Sequence, residues 1–126
     1  NRLLGMGFLE SIGGSDDSEK LIRVTSDGLE QIRTWLTDPI PAPDIAHTAD
    51  LIRLRFFFLS ALTSEERIQF VDKAIEGMKD HLKRCEALVE ESKRTDDRYG
   101  QLAALALIME TKTRIEWLTL VRDQVQ

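Results

Sequence analysis

His81 and Cys85 stand four residues apart in a stretch that reads as helix, a spacing that puts an imidazole and a thiol on one face. A soft divalent metal takes such ligands, but two of them, with only Asp80 and Glu86 beside them, make half a tetrahedral site. Cys85 also falls in step with an apolar repeat, so a small core thiol is the simpler reading and no metal is expected. His47 precedes an apolar segment as a local cap or surface residue. Arg53 and Arg55 flank apolar residues and could hold an anionic carboxylate; an ion pair within or between subunits is the commoner outcome. The acidic doublets Asp16-Asp17, Glu65-Glu66, Glu90-Glu91 and Asp96-Asp97 fall at loops and helix ends, where carboxylates are solvated and do no paired acid–base work. No Ser/His/Asp set, glycine-rich phosphate loop or zinc spacing is visible, so the expectation is a protein that is not an enzyme and uses no cofactor.

The elements that carry these residues are mostly helices. Thr63-Ser64-Glu65-Glu66 is a capping box, and Ile68, Val71, Ile75, Met78, Leu82, Cys85 and Val89 follow at alternating spacings of three and four. That is a coiled-coil seam over a helix ending near Lys93, widened by Phe70, Ala74 and Leu88. Lys93 to Arg98 is a polar break with Thr95 as a further cap. A last helix from about Asp97 to Val125 carries Leu102, Leu105, Ile108, Met109, Ile115, Leu118, Val121 and Val125. So short a connection makes the two long helices antiparallel neighbours. Residues 46–61 are expected to form one helix, apolar around nearly its whole circumference, which a single subunit has too few elements to cover. A second subunit solves that problem, and the expected dimer interface is Phe56, Phe57, Ile68, Val71, Ile75, Met78, Leu82, Ile108, Ile115 and Leu118.

Upstream, Pro39, Pro41 and Pro43 alternate in a segment that no helix survives; a stiff linker over 38–45 is the natural reading. Before it, a helix end at residues 2–6, closed by Gly5 and Gly7, leads to strands near 8–12 and 20–24. Thr25 then caps a helix with Leu29, Ile32, Trp35 and Leu36 on one face. Trp35 reads as core of this unit. Helix end, hairpin and capped helix in 36 residues is the layout of a wing, the β-ribbon beside a DNA-reading helix. The 126 residues carry a formal charge of −5, so attraction to nucleic acid has to come from a local basic surface. One cysteine, no apolar run of membrane length and no signal peptide point to a reducing, cytoplasmic setting. Asn1 is not an initiator methionine, and the chain is expected to begin inside a larger protein.

The order Met6-Gly7-Phe8-Leu9-Glu10, polar tip, Ile22-Arg23-Val24-Thr25-Ser26-Asp27-Gly28 and Trp35-Leu36 resembles the end of the winged helix-turn-helix in PadR-family transcriptional regulators. The prolines, Leu51-Ile52-Arg53-Leu54-Arg55-Phe56-Phe57-Phe58, the Leu62-Thr63-Ser64-Glu65-Glu66 cap and the paired long helices resemble the C-terminal domain of the larger, virulence-activator type. The resemblance spans essentially the whole chain. It implies a mainly α fold: the recognition-helix end and β-hairpin wing over 1–37, a linker over 38–45, and a helical dimerisation and effector domain with two long antiparallel helices over 46–126.

It further implies a DNA-binding homodimer, in the first instance a repressor, with an aromatic small molecule as effector. Arg2, Lys20 and Arg23 would contact phosphate, and Trp117 is the one weak effector-site candidate, packing at a helix contact being its ordinary use. The first helices of the winged domain and most of the recognition helix have no counterpart in this sequence. The rival readings are a dimerising helical adaptor and a small-molecule sensor, neither of which binds DNA.

Overall fold

The computed structural model describes residues 2–12, 21–42 and 50–126, which fall into two compact units, Asn1–Thr48 and Ala49–Gln126. The first begins with helix α1 (Arg2–Gly5). Its end is a left-handed cap: Gly7 has φ 75°, its N–H donates to the Leu4 carbonyl at 3.1 Å, and the Phe8 N–H reaches Leu3 at 3.2 Å. Strands β1 (Leu9–Ile12) and β2 (Leu21–Val24) then pair antiparallel with Leu9 opposite Val24 and Ile12 opposite Leu21. The tip between them lies outside the described residues.

Helix α2 (Ser26–Thr37) starts at Thr25, as the cap chemistry predicts. The Thr25 hydroxyl accepts from the Gly28 N–H (3.1 Å) and donates to the Gly7 carbonyl (2.7 Å), while the Thr25 N–H donates to Phe8 (3.0 Å). One threonine thus starts the helix and ties it to the beginning of the hairpin. Asp38, extended before Pro39, ends it. Pro43 lies outside the described residues.

The second unit opens differently from the expected long apolar helix. Of the stretch 46–61, residues 46–49 lie outside the described residues. The rest is helix α3 (Leu51–Phe56), a two-residue turn and a 3-10 turn at Leu59–Ala61. Asp50 starts α3, its Oδ1 accepting from the Ile52 and Arg53 N–H groups at 3.0 Å each. At the far end Phe57 and Phe58 N–H groups reach back only three residues, to Leu54 and Arg55. Three consecutive aromatics are poor helix formers, and the tightened turn ends the helix.

Helix α4 (Ser64–Arg94) carries the full capping box. Thr63 Oγ1 accepts from Glu66 N–H at 3.2 Å and Glu66 Oε2 accepts from Thr63 N–H at 2.8 Å. Thr63→Ala is expected to cost about 1 kcal/mol, read as a lower urea midpoint; an unchanged midpoint would mean the box contributes nothing.

Thr95, expected as a further cap in the polar break, caps the end of α4. Asp96 follows in the left-handed region at φ 53°, its N–H bonded to Lys93, and the Asp97 N–H closes on Ser92 at 2.8 Å. This is a Schellman closure with aspartate where glycine is usual. Asp97 Oδ1 then accepts from Gly100 N–H at 2.9 Å and starts helix α5 (Arg98–Arg122). The same three residues end one long helix and begin the next, so α4 and α5 run antiparallel along each other.

Val71, Met78 and Cys85 are buried on α4, and Ala104, Thr111 and Leu118 on α5. Both triplets keep a strict seven-residue period. Val71, Met78 and Leu118 form one cluster, with Phe56, Phe70 and Trp117 packed against it. The α4 face of the predicted seam is therefore where α5 of the same chain lies. The hydroxyl of Thr111 donates to the Leu107 carbonyl at 2.6 Å, which is what lets a polar side chain lie inside. Leu102, Leu105 and Met109, expected on the packed stripe, are exposed instead.

Candidate nucleic-acid interface and assembly surfaces

Of the three cations expected to meet phosphate, Arg2 lies exposed on α1, Lys20 falls outside the described residues, and Arg23 sits on β2. Arg23 is opposite Glu10 across the ribbon and its Nε donates to Glu10 Oε1 at 2.5 Å. Both side chains remain largely in solvent, so the pair is weakly held and one phosphate can compete with the glutamate for the guanidinium.

Behind the ribbon, Leu3, Phe8, Leu9, Val24, Gly28, Gln31, Ile32 and Trp35 line an open apolar groove of about 340 Å³. Trp35, expected in the core, is 75% exposed at its rim. Gly28, by contrast, is buried. A Cβ there would run into the Phe8 carbonyl oxygen and come within 2.9 Å of Val24 Cγ1, so the helix approaches the strand closely only because residue 28 has no side chain.

In the second unit the expected interface residues separate into three groups. Val71, Met78 and Leu118 are consumed within the chain and have no surface left for a partner, so for these three the interface expectation is corrected: they are intrachain core. Phe56 meets Phe70 edge-on at 5.9 Å and Trp117 at 4.7 Å, both ring contacts inside the chain. Ile68, Ile75, Leu82, Ile108 and Ile115 are half-buried flanks of the hairpin, and Phe57 is exposed. Trp117 packs on Phe56 and does not line the neighbouring groove of about 280 Å³ formed by Phe56, Leu59, Ser60, Arg67, Gln124, Val125 and Gln126.

Two polar ties fix the helices of this unit. Arg114 Nη2 donates to Asp50 Oδ1 at 2.5 Å, joining α5 to the start of α3. Arg122 donates to both carboxylate oxygens of Asp72, at 2.5 and 2.9 Å, joining the end of α5 to α4. Hydrogen bonding from Arg122 holds the Asp72 carboxyl below its ordinary value, and the same bond raises the guanidinium. Sequence periodicity missed both ties, because each joins residues far apart in the chain.

Cys85 is buried with its Sγ 3.5 Å from His81 Nε2, and among the described residues no group of three or more His, Cys, Asp or Glu side chains is placed to hold a metal. Arg53 and Arg55 are exposed and make no ion pair among the described residues. No helix among those residues is long and apolar enough to cross a membrane.

The model of the virulence activator alpha C-terminal family matches residues 50–126. The fold is similar to that of Bacillus subtilis PadR in complex with operator DNA, with a TM-score of 0.80 and 20% identity over 99% of this chain and 73% of that one. A PadR-like transcriptional regulator from Bacillus cereus matches with a TM-score of 0.79 and 13% identity, over 98% of this chain and 71% of that one. The B. subtilis protein in complex with p-coumaric acid gives 0.74 and 18%, over 98% and 72%. No curated protein matches the sequence. At these identities the likeness is one of fold: mainly helical, with the antiparallel ribbon of a PadR-type winged helix and the paired long helices.

Proposed function

Because this chain belongs to the virulence activator alpha C-terminal family of PadR-like proteins, we propose that it is a transcriptional regulator that binds operator DNA as a homodimer. The observation that carries this reading is the similarity over 99% of the chain to a relative held in complex with operator DNA. Residues 1–37 serve as the DNA-facing part, 38–45 as the linker and 46–126 as the dimerisation and effector domain. Two copies present two ribbons, and operator spacing of about one helical turn follows from that symmetry. Repression of its own promoter in the cytoplasm is the default mode. A relative in complex with p-coumaric acid supports an aromatic acid as the effector class. Such a ligand releases the operator only if it binds two dimer geometries with different affinity.

The test is a gel shift of the gene product, expressed from its own start codon, on its promoter DNA across a salt series. A specific shift that weakens with salt is expected. Arg23→Ala should lower the slope of log affinity against log salt by about one, and Glu10→Gln, which frees Arg23, should tighten binding. A folded dimer that shifts no DNA at low salt would overturn the reading in favour of an adaptor. Quenching of tryptophan fluorescence by aromatic acids, with no DNA affinity, would favour a sensor.

A further inference from the structure

Three guanidinium groups of the helical unit are partly buried: Arg67 on α4, and Arg114 and Arg122 on α5. Arginine stays charged at any physiological pH, so each such group calls for an anion. Asp50 answers Arg114, and Asp72 answers Arg122. Arg67 makes no ion pair among the described residues. The carboxylates next to it and to Gln124 in sequence are engaged elsewhere: Glu66 closes the capping box, and Asp123 meets Arg122 at 3.3 Å. Arg67 Nε donates to the Leu59 carbonyl at 2.9 Å, and that bond fixes the plane of the guanidinium. The same carbonyl accepts from the Leu62 N–H at 3.0 Å, so tying down the 3-10 turn uses Nε alone. Both Nη groups are left without a hydrogen-bond partner among the described residues.

We infer that Arg67 anchors a small carboxylate in the groove it lines with Phe56, Leu59, Ser60, Gln124 and Val125. This names a site for the effector reading above and rests on that reading. With Nε taken, a carboxylate meets the guanidinium end-on, one oxygen on each Nη, a two-bond geometry that a planar fork offers and a point charge does not. Phe56, Leu59 and Val125 supply apolar wall for the body of the ligand, and the Ser60 hydroxyl and Gln124 amide add polar contacts. No second cation lines the groove, so a dianion gains nothing there over a monocarboxylate. Its volume of about 280 Å³ stands just below the range of roughly 300–1,000 Å³ for small-molecule sites, which suits a single ring or a short chain. Phe56 is also a built-in reporter. Its ring lies 4.7 Å from Trp117 inside the chain, so a ligand resting on Phe56 is one ring away from the indole.

The experiment titrates the full chain in a Trp35→Phe background, which leaves Trp117 as its one tryptophan, with benzoate, hexanoate, their neutral counterparts benzamide and hexanamide, and inorganic phosphate. Both acids should change Trp117 emission saturably, at concentrations at least about tenfold below those needed for the amides or phosphate. Arg67→Gln should weaken both acids about tenfold and leave the amides unmoved, and Arg67→Lys, which keeps the charge and loses the fork, should fall between. Circular dichroism follows helix content, and the comparison of acid with amide is made with Arg67 in place, so it stands even where a variant fails to fold. Acids that bind no better than their amides, or that bind Arg67→Gln as tightly as the native residue, would overturn the assignment. A gel shift of the gene product on its promoter, with benzoate or p-coumarate added, separates the site from its role. An operator band that moves with acid while Trp117 does not respond would overturn the groove and leave the effector reading standing. Binding that depends on Arg67 but leaves the band in place would keep the site and overturn that reading. Acids that move neither would overturn both.

Discussion

Leu118→Ala is expected to remove about 2–5 kcal/mol from the stability of the helical unit, the range for truncating a fully buried leucine. Leu118 has no exposed surface and packs with Val71 and Met78 where α4 and α5 lie against each other. The hairpin has one layer of buried side chains, so no second shell can collapse into the space left behind. A unit of this size has a total stability of only roughly 4–12 kcal/mol, and the loss is a large share of it. Urea unfolding followed by Trp117 fluorescence, at fixed protein concentration, measures the effect. Leu88→Ala, on the exposed side of α4, is the control and should stay within about 0.5 kcal/mol of the native chain. Equal effects at the two sites would mean that the buried heptad does not hold the hairpin.

The second large effect is expected at Gly28. An alanine in the middle of an ordinary helix gains about 1 kcal/mol over glycine, so propensity alone predicts that Gly28→Ala stabilises. The structure reverses the sign. The added methyl would meet the Phe8 carbonyl oxygen and lie 2.9 Å from Val24 Cγ1, and backbone on the other side cannot move away as a flexible side chain would. Helix α2 must lift from the ribbon, which pulls on the Thr25 bonds to Gly7 and Phe8. A net loss of about 1–3 kcal/mol is expected, with a lower unfolding midpoint for Trp35 fluorescence in a Trp117→Phe background. An unchanged or higher midpoint would show that the close approach is not needed to hold the ribbon.

These two positions mark what sequence could and could not reveal. Caps were legible because their chemistry is local: Thr25 and the Thr63–Glu66 box both act within three residues. The α4 heptad was legible because that helix has one apolar face. Helix α5 was not, because it is apolar on both sides, and periodicity chose the larger residues Leu102, Leu105 and Met109 over Ala104 and Thr111. The buried side carries the smaller ones, and a threonine whose hydroxyl is satisfied by its own helix does not look like core in a sequence.

Within the candidate interface, the Glu10–Arg23 pair follows from strand register, which composition cannot supply. Gly28 was passed over because a glycine in a first turn reads as tolerated, whereas its use depends on a strand twenty residues away. Trp35 reads as core from its place on the apolar face of α2, and the structure instead leaves it exposed at the rim of a groove. Phe57 and Phe58 read as the continuation of a helix, and instead they lie in the turn that ends α3.

The connection Thr95–Asp97 has a consequence for how this chain tolerates change in length. One extra residue rotates everything downstream by about 100° about the helix axis. An insertion there would swing Ala104, Thr111 and Leu118 away from their partners on α4 and bring Ala103, Glu110 and Trp117 inward in their place. The left-handed Asp96 and the two aspartate-tied ends leave no slack to absorb it. Descendants of this gene can therefore vary the helices in composition far more freely than they can gain or lose a single codon at the bend.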